Sequence, residues 1–431
     1  MNPRLPDMSK QPFMILGAGL LMMAMWIWVQ RIGIPHQQVE SEALGIPRGN
    51  LSDLYPRWLG ARELVLHRRD PYGADVTAEI QKGYYGRELD PNHPNDPKDQ
   101  QAFAYPAYVV LMLAPTVEWR FPVAQRVFLA LFVLLTAASV VWWANALRWQ
   151  LSPAATLTWV VIILGSFPAI QGFKLQQLTL LVAAFLARAM CLVTSKRLVG
   201  AGILLALATI KPQLALVPAL WLTIWVLGNW RERQRLLWSF AASMAALFIA
   251  AEVLLPGWIG EFRRASAAYY RYTGGGTSVL DILLTPVLGR VATLGIVCGC
   301  LVALWRVRRS AEATPEFQWS LALVMATTLV IIPMFAPYNQ VLLIPSMMMI
   351  VRAIRELWEA SRLSRFMVAA VGLSVFWPWI AAALLGIAML FLPEPTVWRF
   401  WAVPLYTTVA IPIVVPALLL VGRRSLSHEK A

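Results

Sequence analysis

The sequence predicts an all-α polytopic membrane protein of about twelve transmembrane helices. Two observations carry this expectation: long apolar runs, and basic clusters confined to alternate loops. Of 431 residues, 58% are hydrophobic and only 14% charged. The apolar residues gather in runs near the roughly 20 residues that one bilayer crossing needs, which a water-soluble core does not require. The runs fall near 13–30, 104–118, 123–146, 153–172, 175–194, 198–228, 236–256, 282–304, 317–335, 338–352, 366–390 and 399–421. The basic clusters are RERQR at 231–235, WRVRR at 305–309, RAIRELWEASRLSR at 352–365 and GRR at 422–424. Clusters of this kind stay on the cytoplasmic side, so both termini are expected there.

Taken in order, the first run lacks a small-residue cleavage site and is followed by Arg31, so it reads as a retained helix rather than a signal peptide. Residues 31–103 form the only large segment outside the membrane, on the outer face, with 9 basic and 11 acidic residues in near balance. Within it, NLSDLYPRWLGARELVLHRRDPY at 50–72 reads as an amphipathic helix from Leu54 that rests in the membrane interface. Leu54, Trp58, Ala61 and Val65 line its apolar face beside Tyr55, Leu59 and Leu66, while Arg57, Glu63 and His67 lie elsewhere. Ser52 or Asp53 takes the N-cap, and Pro56 sits in the first turn, where its missing N–H costs nothing. Asn92–Asp99 reads as a mobile polar turn. The loop at 257–281 and the APYNQ turn at 336–340 are the other outer features. No internal repeat is visible, so residues 1–431 make a single membrane domain with interfacial helices in its first outer loop.

Composition also excludes several functions. The net charge of +14 is distributed as a topology signal, not as a nucleic-acid footprint. Cys191, Cys298 and Cys300 all lie in apolar spans, and Cys298 and Cys300 point to different helix faces, so neither a disulfide framework nor a metal site is expected. His36, His67, His93 and His428 lack ligand spacing, and no Walker A or dinucleotide glycine motif is present. No metal and no other cofactor is expected.

Candidate chemistry falls on the outer side. Lys211, in ATIKPQLALVP, is an ionisable residue near the middle of the 198–228 run, and Pro212 would kink that helix and free backbone groups to line a cavity. A charge left in lipid costs about 3 kcal/mol or more, so an intramembrane lysine needs a task or a partner. The alternative to a ligand is an ion pair with Glu252 in the next run. Arg188 and Arg290 fall in the outer halves of their helices and suggest a positively biased pocket suited to a lipid phosphate. Gln213 beside Lys211, and Arg271 in the 257–281 loop, join the candidates for donor phosphate or sugar. Tyr338, Asn339 and Gln340 could bind a sugar, or form a plain polar turn. FAYP at 103–106 has the aromatics expected at a headgroup boundary.

The pattern D-L-Y-x-x-W-x-G-A-R-x-L from Asp53, then D-P-Y at 70–72 and F-x-Y-P at 103–106, resembles the N-terminal region of glycosyltransferase family 87. These are C-type (GT-C) integral membrane enzymes that include polyprenyl-phosphate-mannose-dependent mannosyltransferases. The likeness continues in GFKLQQLTLL and in GILLALATIKPQLAL, and ends near PYNQVLLIPSM. It implies a GT-C fold and inverting transfer of a hexose, mannose being the family's commonest donor sugar, from a polyprenyl-phosphate donor to a lipid, glycan or other acceptor. It further implies a bacterial plasma-membrane enzyme with an extracytoplasmic active site. Asp53 takes the role of catalytic base, and Lys211 matches the family's lysine at the donor phosphate. Two departures are visible: PYNQ stands where some members carry a histidine-rich turn, and Gly172 is separated from Gln176 and Gln177. The chemistry is consistent with a single acid. Glycoside hydrolysis uses two carboxylates because an alkoxide leaves badly, whereas a lipid phosphate leaves as a stable anion. One base for the acceptor hydroxyl and a cation for the phosphate can then suffice. A transporter or flippase of a lipid-linked saccharide is the alternative, although a carrier would show paired broken helices in repeated halves.

Overall fold

The structure, a computed structural model, describes residues 11–46, 52–90, 92–93, 96–272 and 277–427. His428, part of the polar turn at 92–99 and the whole of 273–276, with its three glycines, therefore lie outside the described residues. Among the described residues the regular elements are all helical. Five helices are long and apolar enough to cross a membrane: Pro12–Ala43, Phe121–Ala146, Trp230–Leu254, Pro286–Val307 and Arg362–Ala388. A sixth crossing results if Pro153–Leu164 and Phe167–Leu175, bent by 57° at Gly165 and Ser166, count as one. The remaining apolar runs resolve into shorter helices, Thr179–Thr194, Leu198–Ala208, Pro212–Gly228, Pro315–Ile331 and Ile411–Val421.

Five of the twelve runs thus form a single helix of spanning length among the described residues, the 338–352 run being a 3₁₀ stretch, Pro337–Leu343, followed by the short Ile344–Arg352 helix. Two of the others depart from the expectation for identifiable reasons. Residues 104–118 do not cross. Pro106 and Pro115 leave only short helical pieces from Ala107 to Thr116, about 15 Å of helix at 1.5 Å per residue. Both ends are tied to one neighbour region: Tyr72 donates to the Tyr105 carbonyl at 2.5 Å, and Trp58 and Arg62 donate to the carbonyls of Thr116 and Val117 at 3.1 Å each. The 198–228 run, in contrast, is two helices folded back as a hairpin. Residues 209–211 form its tip, and Pro212 opens the second leg at its first position. Its two open ends meet at one cavity that Leu198, Val199 and Trp225 line together with Arg197, Arg233 and Glu312.

These changes sharpen the charge asymmetry. Counted through, the twelve-run pattern leaves the loops at 147–152 and 195–197 opposite the basic clusters. The structure gathers them at the same end: Arg148 donates to the Thr194 carbonyl, Arg352 donates to the Leu147 carbonyl, and Lys196 pairs with Glu312 at 3.5 Å. Arg233 anchors this basic end. Its guanidinium lies 3.9 Å from the Trp225 ring and donates to the carbonyls of Trp225, Arg308 and Ser310 at 2.7, 2.9 and 2.9 Å, which satisfies carbonyls that two helix ends leave free.

At the opposite end, the Leu54–His67 helix is not spread on an interface. Leu54, Pro56, Trp58, Gly60, Ala61, Glu63 and Leu64 are all buried, because Phe103, Phe121 and the Ala107–Thr116 segment cover it. Phe103 lies so close to Gly60 that a Cβ there would strike its ring at 3.1 Å or less. Glu63 is buried with Arg69 as its 2.8 Å partner. The FAYP aromatics are accordingly core residues, Phe103 being fully buried. The amphipathic helix of this end is Trp258–Tyr272, within the 257–281 loop.

The hairpin's first leg packs tightly on Trp230–Leu254: a Cβ on Gly202 would run into the Leu236 carbonyl oxygen and the Phe240 amide nitrogen. Gly202→Ala is therefore expected to cost about 1–3 kcal/mol and to lower the thermal unfolding midpoint in detergent. Gly295→Ala, with open space around it, should leave the midpoint in place.

Candidate active site

The site is built on a turn, a hairpin tip and two side chains that tie them together. Asp53 occupies the N-cap position of Leu54–His67, but its carboxylate does not cap the helix. Ser52 does the local work instead, its hydroxyl accepting from the Leu54 amide at 3.1 Å and donating to Gln176 Oε1 at 2.6 Å. The Asp53 amide donates to the Leu175 carbonyl at 2.8 Å, and Gln176 Nε2 donates to the Gln125 carbonyl at 2.6 Å. The turn is thus sewn to the end of Phe167–Leu175, and the Asp53 carboxylate is released to face inward. There it accepts from Gln177 Nε2 and, at 3.4 Å, from the Tyr84 hydroxyl. Burial first, and then the Asp53 charge, raise the Tyr84 phenol well above its ordinary range, so it stays a protonated donor.

Lys211 is 6% exposed at the hairpin tip. Its ammonium donates to Gln177 Oε1 at 2.7 Å and to the Thr179 hydroxyl at 2.8 Å, and Thr179 donates to Asn339 Oδ1 at 3.0 Å. The Tyr338 and Tyr105 rings lie 5.2 and 5.8 Å from it, within cation–π range. The ion pair with Glu252 weighed from sequence is not formed; Glu252 accepts from the Gly257 amide instead. Gln177 is the link: one side-chain amide donates to the acid and accepts from the cation.

Both groups face a cavity of about 270 Å³. Arg57 lies there too, donating to the Asp53 carbonyl at 2.9 Å with its guanidinium 4.9 Å from the Tyr105 ring. Phe262, Ser266 and Tyr269, spaced along one face of Trp258–Tyr272, close the cavity on another side, and Asp99 and Gln101 line its remaining wall. The cavity therefore brings together Asp53, Lys211, Gln213, Tyr338 and Asn339 from the sequence-derived candidates.

It leaves out four others. Arg188 is at the basic end, not in the outer half of its helix: it stacks 5.7 Å from Trp142 and shares a cavity with Arg148, Thr194 and Arg197. The reason is that Thr179–Thr194 starts at the site and runs away from it. Arg271 and Arg290 are exposed and do not line the cavity. Gln340 points to the other side of the 337–343 turn, donating to the Thr408 carbonyl at 2.7 Å. Sequence reasoning missed Arg57, Asp99, Gln101 and the bridging role of Gln177. Only Gln177 carried a signal, as part of the QQ pair in the family pattern.

Comparison with known families decides the class. The glycosyltransferase family 87 model matches residues 103–333, more than half of the chain. The chain belongs to glycosyltransferase family 87. It is accordingly a glycosyltransferase with several apolar helices suited to a membrane, and the carrier alternative is set aside. The matched segment holds Gln177, Lys211 and Gln213, while Asp53 precedes it. No curated protein and no solved structure matches the chain.

Gln177→Leu would leave the Asp53 carboxylate and the Lys211 ammonium each short of a partner in a partly desolvated cavity. Losses of this kind cost about 1–3 kcal/mol, so glycosyl transfer by the reconstituted variant should fall about 5- to 150-fold, while Gln340→Leu, outside the cavity, should change it far less.

Proposed function

We propose that this family 87 enzyme transfers a hexose from a polyprenyl-phosphate donor to an acceptor hydroxyl, with Asp53 as general base and Lys211 at the donor phosphate. The single observation that carries this reading is the Gln177 amide, which holds an acid and a cation at fixed spacing on one cavity wall. The acceptor O–H gives its proton to Asp53 as the oxygen attacks the anomeric carbon. The bond from that carbon to the phosphate oxygen breaks, and its electron pair leaves with the polyprenyl phosphate, whose growing negative charge Lys211 stabilises. Direct displacement inverts the anomeric centre. Gln213, Tyr338 and Asn339 are the nearby candidates for sugar contacts, and mannose is the donor sugar that the family resemblance favours. The reaction so written draws on no metal or other cofactor, since the leaving group is a stable anion and Lys211 supplies positive charge.

The charge asymmetry supports an extracytoplasmic site. Arg148, Arg197, Arg233, Arg308 and Arg352 cluster at the end opposite Asp53, and basic ends of membrane proteins face the cytoplasm. A plasma membrane of a bacterium, with both termini inside, fits this orientation and the use of a lipid-linked donor.

The test is transfer from labelled polyprenyl-phosphate hexoses by protein in proteoliposomes. Asp53→Asn should lower the rate by at least about 10²-fold, the usual scale of general base catalysis; transfer at the wild-type rate would remove Asp53 from the reaction. Lys211→Ala should raise KM for the donor more than KM for the acceptor, and an equal effect on both would make Lys211 a structural residue.

A further inference from the structure

We propose that Asp99 and Gln101 form the acceptor subsite, and that the acceptor is a saccharide or similar polyol rather than a simple lipid alcohol; this rests on the assignment of Asp53 and Lys211 above. Asp99 and Gln101 line the same cavity as Asp53 and come from the segment that follows the Ala74–Tyr85 helix. Gln81 Nε2 donates to the Gln100 carbonyl at 3.1 Å and the Tyr85 hydroxyl to the Asp99 carbonyl at 2.6 Å, fixing this segment to that helix. Asp99 accepts from the Gln101 amide at 2.9 Å and from Gln101 Nε2 at 3.1 Å. The second bond sets the orientation of the Gln101 amide, since a flip would oppose two oxygens. Gln101 Oε1 is then left buried with no donor, and the Asp99 carboxylate keeps acceptor capacity beyond its two bonds.

The chemistry of this wall selects its ligand. A carboxylate and an unpaired amide oxygen accept hydrogen bonds and repel anions, so they disfavour the donor phosphate and favour hydroxyl groups. Arg57, on the same cavity, is a counter-charge felt by both Asp53 and Asp99. Burial, with the Asp53 charge adding to it and Arg57 opposing, raises the Asp99 carboxyl above its ordinary value. In a displacement, the acceptor enters opposite the leaving phosphate, so its other hydroxyls should lie on the side of Asp53 away from Lys211. Two adjacent acceptor side chains on the wall of the same cavity suit an acceptor with at least two hydroxyls near the reacting one.

The test uses wild type, Asp99→Asn, Gln101→Leu and Asp53→Asn in proteoliposomes, with the polyprenyl-phosphate hexose that the wild type uses, and octyl mannoside, octyl glucoside and octanol as acceptors. The proposal expects glycosides to be used at least tenfold better than octanol, and Asp99→Asn and Gln101→Leu to raise KM for the glycoside about tenfold while KM for the donor stays within twofold. Octanol serving as well as the glycosides, an unchanged glycoside KM, or an equal rise in both KM values overturns it. Monodisperse elution checks folding, and Gln101→Leu decides alone if Asp99→Asn misfolds, because it leaves the Asp99 turn bond to the 101 amide in place. Failure of the base assignment is separately visible as wild-type transfer by Asp53→Asn.

Discussion

A lysine ammonium buried at the tip of an apolar hairpin is the constraint from which the rest of the site follows. Left unsolvated in a membrane setting it would cost about 3 kcal/mol or more, so the protein must supply its oxygen ligands. Gln177 and Thr179 do so, and both lie at the start of a helix that begins abruptly after a left-handed Gln176. Once Gln177 is fixed by Lys211, its other amide atom has a defined direction, and that direction meets Asp53. Gln176, one residue earlier, points the other way and ties down Ser52. Two adjacent glutamines thus couple the hairpin, the bent Pro153–Leu175 pair and the first-loop helix into one unit.

The hairpin also explains how a polar cavity can sit among short apolar helices. Helices that stop at the level of the site end their hydrogen-bonding ladders there, and their free backbone and capping groups face a cavity rather than lipid. The long helices keep the opposite role. They fill the membrane-facing periphery and bring their arginine-rich ends together, where Arg233 collects three carbonyls from two separate segments. Separation of acid and cation at one end from a basic cluster at the other gives the molecule a definite polarity.

Much of this was legible in the sequence, but unevenly. Apolar runs and basic loops identified an all-helical membrane chain, and an intramembrane lysine beside a proline pointed to a cavity. Hydropathy could not separate one 31-residue run from a hairpin of two legs, because both bury the same apolar residues; only the tip residues 209–211 differ. Nor could it reject residues 104–118, whose composition is that of a span but whose prolines leave too little helix. Those two misreadings cancel in parity, which is why the sequence still put the basic clusters from residue 231 onward on one side while placing Arg188 at the wrong end; Lys211, read as mid-span, was linked to Asp53 by the family pattern alone. Arg57, Asp99 and Gln101 gave no signal because their roles arise from contacts across the first loop, and a lone arginine or aspartate in a polar segment looks like solvated surface.

The central claim is that one donor lies across the Gln177 bridge, with its phosphate at Lys211 and its anomeric carbon toward Asp53. The most direct measurement is an experimental structure of the protein in lipid nanodiscs with a non-transferable polyprenyl-phosphonate hexose. The account predicts the phosphonate oxygens within hydrogen-bond distance of Lys211 Nζ and the sugar in the 270 Å³ cavity beside Asp53. A headgroup bound at Arg271 or Arg290, with that cavity empty of sugar, would contradict it.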